Sequence, residues 1–315
     1  MAQTPPVRVV EVHRSGLHVL GDGVDLLVPP GPDATVGDWL LLDQSQPEAS
    51  KVLNRTSLFK RRAPGDGCAF QLIAANVDTA FIVSSCNQDF NVARLERYLA
   101  LAFEAGVAPV IILTKADLSD DAESYLKTAS VISKKVPAVL LNALGGDPQE
   151  KLREWCGAGQ TVAFIGSSGV GKSSMVNALF GNQAVDTGAI RESDAKGRHT
   201  TTNRHLHFLP DGCGVLDTPG MREIQLMGVQ GGIADVFEDL FSLVGQCRFN
   251  DCAHETEPGC AIRAALAAGE LDEQRLDRWS KLVAEERDNA AALERKFGDK
   301  STRKAARASK KKNNK

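Results

Sequence analysis

The sequence predicts a multidomain α/β protein: an N-terminal all-β barrel, a central domain on a parallel sheet, and a C-terminal helical domain that binds metal. Three observations carry this. Residues from about Val7 to Arg62 read as short strands broken by turns, VRVVEV, GLHVL, VDLLV and DWLLLD, the pattern of a small antiparallel barrel. From Asp78 apolar runs alternate with amphipathic stretches of helical period, which implies parallel strands covered on both faces. Near the C-terminus three cysteines and a histidine crowd into fourteen residues, Cys247 to Cys260.

The elements follow in order. An oligonucleotide-binding (OB-like) barrel is one form the N-terminal strands can take, and its basic residues gather in RTSLFKRR, Arg55 to Arg62. That stretch reads equally as a phosphate-contacting rim or as a solvated linker. The central segment predicts strand TAFIVSSC, helix VARLERYLALAFEAG, strand APVIILT, helix DDAESYLKTASVISKK, strand AVLLN and strand TVAFIG. A helix from Lys172 to Phe180 and strands HLHFL and CGVLD come next, then helix-rich sequence as far as about Phe297. Predicted boundaries are 1–68 for the barrel, 69–225 for the central domain, 226–297 for the metal-binding domain and 298–315 for a basic disordered tail.

No apolar run approaches the length of a membrane span, and the N-terminus lacks a secretory core, so a cytoplasmic protein without membrane contact is expected. A formal net charge of -3 gives no overall attraction to nucleic acid. The end of the chain differs: from Lys296 to Lys315 nine Lys or Arg residues face the single acid Asp299. Such a block binds polyanions or serves only as a solvated tail. Cys68, Cys86, Cys156 and Cys213 lack ligand spacing and read as small buried apolar residues.

The chemistry concentrates in four loops. Gly166, Ser167, Ser168, Gly169, Val170, Gly171, Lys172 and Ser173 match G-x-x-x-x-G-K-[ST], with a strand before and a helix after, and Ser174 follows. The glycines turn backbone amides toward phosphates, the helix N-terminus adds positive potential, Lys172 reaches the β and γ oxygens, and the Ser173 hydroxyl binds magnesium. DTPG places Asp217 at a strand end as a second magnesium carboxylate, with Gly220 offering an amide to the γ-phosphate. Between them KGRHTTTNR holds three consecutive threonines, of which Thr201 is assigned to the magnesium shell as part of an order-to-disorder switch. Thr114, Lys115 and Asp117 belong to TKAD at the end of an apolar strand. The Asp117 carboxylate can accept from guanine N1–H and the exocyclic amine together, a donor pair adenine lacks, and the Lys115 stem can lie along the purine. GTP and GDP are the expected ligands.

The motif order is unusual, because TKAD precedes the phosphate loop. Strand-borne TKAD, GSSGVGKS, TTT, DTPG and a following Cys/His cluster resemble the circularly permuted GTPases, in particular the small ribosomal subunit biogenesis GTPase family, RsgA or YjeQ. QLIAANVDTAFIV, FNVARLERYLALA, KGRHTTT, DTPGMRE and CRFNDCAHETEPGCAIRAAL extend the resemblance over nearly the whole chain. It implies an OB-like barrel, a permuted GTPase domain, a zinc domain, and GTP hydrolysis stimulated by the small ribosomal subunit during late maturation; the subunit and its rRNA are the expected partners, of a monomeric protein. A non-catalytic, GTP-dependent RNA-binding module is the rival reading.

Cys247, Cys252, His254 and Cys260 supply a complete tetrahedral set for structural zinc. Thr114 stands where GTPases more often have Asn, and Asn142-Ala143 where Ser-Ala is usual, with the Ala143 amide assigned to the guanine oxygen. Met221 occupies the position of the water-orienting glutamine and cannot hydrogen-bond strongly. Slow intrinsic hydrolysis follows, with His199, His205 and His207 as candidates to position water, His205 foremost.

Overall fold

Continuous apolar runs become the buried middle of a sheet. The computed structural model describes residues 4–62, 70–144, 147–181, 204–217 and 228–312, with Arg62, Asp217 and residues 293–312 described through their backbone alone. Strands Thr79–Ser85 (β8), Ala108–Thr114 (β9), Ala138–Leu140 (β10), Thr161–Gly166 (β11) and Gly214–Asp217 (β13) run parallel in the order β10-β9-β8-β11-β13. Every residue of β8 and β11 is buried, as expected for strands covered on both faces. Phe81, Ile112, Phe164, Met175 and Val215 contribute to the core around them.

The chain walks outward from β8 to β10, then returns to lay β11 beside β8 and continues to β13 on the other side. Adjacent strands β8 and β11 therefore send their connections in opposite directions, and the crevice at their carboxyl ends is where open α/β sheets bind ligands. Helix Val92–Glu104 (α1) follows β8, and helix Lys172–Phe180 (α4) follows the glycine-rich loop after β11. Between them lie Ala122–Ser130 (α2) and Asp147–Lys151 (α3). The sequence predicts a longer α2, but β-branched Val131 and Ile132, which lower helix propensity, meet Ser133, and the helix stops at Ser130.

The N-terminal strands are Pro6–His13 (β1), Gly16–Gly21 (β2), Val24–Val28 (β3), Trp39–Leu41 (β4) and Lys51–Val52 (β5), all antiparallel around Val7, Val9, Val19, Leu40 and Leu42. One edge of β1 pairs with β2 along its length. The other pairs with β4 through Pro6 to Arg8, and at Glu11 with His205 of strand His205–Phe208 (β12). A bulge between Val9 and Glu11 accompanies the change of partner, and bulges bend strands in this way. Because β12 also pairs with β13, one sheet of eleven strands runs from the central domain into the N-terminal strands.

Buried polar contacts fix that junction. Arg8 donates to Thr161 Oγ1 and to Asn76 O, both at 3.0 Å, and lies 5.0 Å from the Trp39 ring centroid. Arg55 forks onto Asp38 at 2.8 and 2.9 Å and onto Asp33 O at 2.7 Å, so this member of the basic stretch holds the β region together. The rest of that stretch is largely strand: Leu58–Arg62 (β6) pairs with Phe70–Ala75 (β7) in a separate two-stranded sheet.

Two compact units result, Met1–Arg61 with Leu72–Ile224, and Arg62–Gln71 with Gln225–Lys315. The second holds helices Gln230–Val236 (α5), Glu238–Val244 (α6), Ala261–Ala267 (α7) and Glu273–Lys312 (α8), with Cys247 to Cys260 between α6 and α7 in the chain. Arg275 of α8 bonds Asp239 at 2.7 and 2.8 Å, and its guanidinium lies 4.8 Å from the ring centroid of buried Phe237. The helix runs on to Lys312, across the segment expected to be a disordered tail. Its Ala, Lys and Arg residues are strong helix formers.

Candidate nucleotide and metal sites

Gly166 ends β11 at φ 155°, where an added Cβ would stand 2.3 Å from Val83 O of β8, so only glycine allows the approach. Gly169 and Gly171 take φ 77° and 97°, left-handed values that suit a loop with its amides turned inward. Ser168 and Gly169 are exposed at the crest and Val170 is buried beneath. Lys172 Nζ donates to Gly166 O at 2.9 Å and to Ser167 O, and Ser173 and Ser174 occupy the first turn of α4, half-buried.

The TKAD loop reaches this phosphate loop although the two strands are not neighbours. Thr114 is fully buried, and its hydroxyl lies 2.6 Å from Val170 O and 3.2 Å from Ser84 O. The one hydroxyl proton goes to the shorter partner, which joins the end of β9 to the phosphate loop. Lys115 sits in the left-handed region at φ 57° and Asp117 is exposed in the short helical turn Ala116–Leu118. Left-handed non-glycine residues are uncommon and cluster at functional sites. The third loop also closes in: a methyl on Gly171 would lie 3.4 Å from Ala143 Cβ and 3.6 Å from Thr114 Oγ1. Asn142 Oδ1 accepts from Leu144 N at 2.8 Å, and Asp147 Oδ2 accepts from Asn142 N at 3.2 Å, which shape the turn holding Ala143.

Asp217 ends β13 beside β11, with its side chain outside the description. His199, Thr200 to Thr202, Gly220 and Met221 lie outside the described residues. His205 is described: its Nδ1 lies 3.4 Å from Glu11 Oε2 of β1 and its ring stacks 4.1 Å from that of His207. Burial pushes both imidazoles below their ordinary range, His207 to about 4.

Sequence reasoning passed over Arg94. The Asn91 side chain caps α1 on Arg94 N at 2.9 Å, and the Arg94 guanidinium bonds Asp89 Oδ1 at 3.0 Å, Asp89 O at 3.1 Å and the Ser167 hydroxyl of the phosphate loop. The available signal was Asn91 as helix N-cap just after β8, which sets the first turn of α1 at the crevice.

In the second unit the four expected ligands meet. Cys247 Sγ and Cys260 Sγ are 3.9 Å apart and lie 3.6 and 3.5 Å from His254 Nδ1. All four ligand atoms, with Cys252, fall within 4.8 Å of one another. A tetrahedral zinc with ordinary bond lengths sets sulfur–sulfur edges of about 3.8 Å and sulfur–nitrogen edges of about 3.6 Å, so the set fits zinc. His254 accepts a left-handed φ of 64° to present Nδ1. Glu257, which the sequence did not single out, accepts from the amides of Ala253, Glu255 and Thr256 at 2.8, 2.9 and 3.0 Å and organises the loop.

A phosphate loop at the switch point, tied to a TKAD loop that comes earlier in the chain, defines a circularly permuted P-loop GTPase. Similarity to known proteins agrees. The chain belongs to the RsgA GTPase family, whose model matches residues 52–227. An ABC transporter model also matches residues 151–304, a span that contains the phosphate loop. The small ribosomal subunit biogenesis GTPase RsgA 2 of Vibrio parahaemolyticus is 50% identical over 91% of this chain and 80% of its own length. The Mesorhizobium japonicum RsgA is 52% identical over 90% of this chain and 84% of its own length. Among solved structures, YjeQ from Thermotoga maritima is 25% identical with a TM-score of 0.66, over 88% of this chain and 96% of that one. YloQ, described as a circularly permuted GTPase, shares the fold at 22% identity and a TM-score of 0.59, over 91% of this chain and 96% of that one.

Proposed function

We propose that this protein hydrolyses GTP to GDP and phosphate in the cytoplasm, as a monomer, during late assembly of the small ribosomal subunit, whose rRNA it binds and which stimulates its turnover. The hydroxyl of Thr114 on Val170 O at 2.6 Å carries the reading, because it brings a purine-reading loop and a phosphate loop to one ligand. The names of the relatives supply the subunit.

In this reading Asp117 accepts the guanine donors, Lys115 covers one purine face, and the Ala143 amide meets the guanine oxygen. Thr114 acts on the base site through the phosphate loop, since its hydroxyl is engaged there. Residues Gly166 to Ser174 hold the phosphates. Ser173 and Thr201 would hold magnesium with Asp217 behind them, and the bound ion would supply neutralising charge for the phosphates. Gly220 donates its amide to the γ-phosphate. His205 is the sequence candidate for positioning water, yet its Nδ1 and ring face engage Glu11 and His207. His205 Nε2 keeps the water-positioning role in this reading, and the small subunit completes the site. Cys247, Cys252, His254 and Cys260 would hold structural zinc, with no open position for chemistry.

Multiple-turnover phosphate release, measured with small subunits, with large subunits and with neither, tests the proposal. Strong acceleration by small subunits alone is expected. Equal rates in all three would overturn it in favour of a GTP-dependent binding module.

A further inference from the structure

Ser167 is gripped by two cations at once. Its hydroxyl accepts from Arg94, and its carbonyl accepts from Lys172 Nζ. Arg94 is itself fixed from behind. Ser85 Oγ and Asp89 N both bond Asn87 Oδ1 at 2.9 Å, which shapes the turn after β8, and Asp89 takes the guanidinium through its carboxylate and its carbonyl. A planar fork can span Asp89 and Ser167 together, whereas an ammonium is a point charge without that geometry. The ion pair is about one-third exposed on each side, 35% for Arg94 and 38% for Asp89, and the side chain lines a shallow surface cleft with Ser84 and Tyr98. Removing the guanidinium thus enlarges a water-accessible cleft and opens no core void.

We propose that Arg94 is a positioning residue for the nucleotide: by holding the Ser167 side chain it sets the Ser167 carbonyl that receives Lys172, and so places the ammonium that meets the β and γ oxygens. The inference rests on the reading of the phosphate loop as a GTP site. It assigns to α1 a part in phosphate binding that the phosphate-loop motif does not contain. The turn Asn87 to Arg94 becomes a brace between the carboxyl ends of β8 and β11.

A double-mutant cycle tests it. Affinities for fluorescent GDP and a fluorescent non-hydrolysable GTP analogue are measured for wild type, Arg94→Ala, Ser167→Ala and the double variant, with kcat and KM beside small subunits and a thermal melt of each. Each single variant is expected to bind about tenfold more weakly, the double no more weakly than either, and the melts to coincide. Arg94→Lys should not restore affinity. Additive losses, full rescue by Lys, or unchanged affinity in Arg94→Ala would each overturn the proposal. Because the cycle is read on affinity, wild type that binds nucleotide without turnover would defeat the hydrolytic reading while leaving this inference decided by the coupling.

Discussion

Replacing Thr114 by Val changes little but the hydroxyl, and so isolates the link between the two nucleotide loops. The side chain is wholly buried, and its bond to Val170 O is 2.6 Å long. Valine keeps the shape but leaves a buried carbonyl without this donor, a loss of about 1 to 3 kcal/mol. If the link holds the loops in the arrangement that binds nucleotide, a mid-range loss of about 2 kcal/mol weakens GDP and GTP alike by roughly 30-fold. Stopped-flow binding of fluorescent GDP measures this directly and does not depend on the unfolding behaviour of a two-unit chain. Thr114→Asn, whose amide can donate to the same carbonyl, should bind within about threefold of wild type. Wild-type affinity in Thr114→Val would refute the argument that this hydroxyl aligns the site.

Three other predictions follow from the geometry. Asp117→Asn should shift preference from guanine toward xanthine nucleotides, read by competition binding; an unchanged preference counts against Asp117 as the base reader. Cys252→Ser should lower bound zinc below one per chain and speed proteolysis between Cys247 and Cys260, while GDP affinity stays within about twofold because the phosphate loop belongs to the other unit. A parallel fall in GDP affinity would contradict a purely structural metal. Burial, and then His205 nearby, hold His207 down at about 4 against an ordinary 6.5. The unfolded chain therefore binds that proton more readily, and stability should be full above about pH 6.5 and decline as pH falls toward 4, more gently in His207→Phe. Glu11 opposes this shift, and a pH profile of thermal unfolding identical in the variant would exclude His207 as a source.

Much of the central sheet was legible because its strands are unbroken apolar runs: TAFIVSS, APVIILT and TVAFIG appear as β8, β9 and β11 within a residue of the expected ends. The phosphate loop was legible for a different reason, since its chemistry demands particular residue types at fixed spacing. The zinc ligands were found the same way, and their convergence needed no knowledge of the surrounding helices. What stayed hidden depends on partners distant in sequence. Nothing local tells that Arg55 serves Asp38, that Arg94 reaches Ser167 seventy-three positions away, or that Glu11 pairs across to His205. RTSLFKRR hid a strand because its charges mask the alternation that β6 requires. Thr114 showed in the sequence only as a departure from the more usual Asn; the approach of Val170 reveals its partner.

The double pairing of β1 matters to anyone who shortens this protein. Cutting away residues 1–62 would detach more than an appendage: it would leave β12 as a bare rim of the remaining sheet, with Glu11 gone from beside His205. Naked strand rims recruit other chains. A clipped protein that fails in an assembly assay would then be reporting self-association, and its failure would say nothing about which RNA the missing piece had touched.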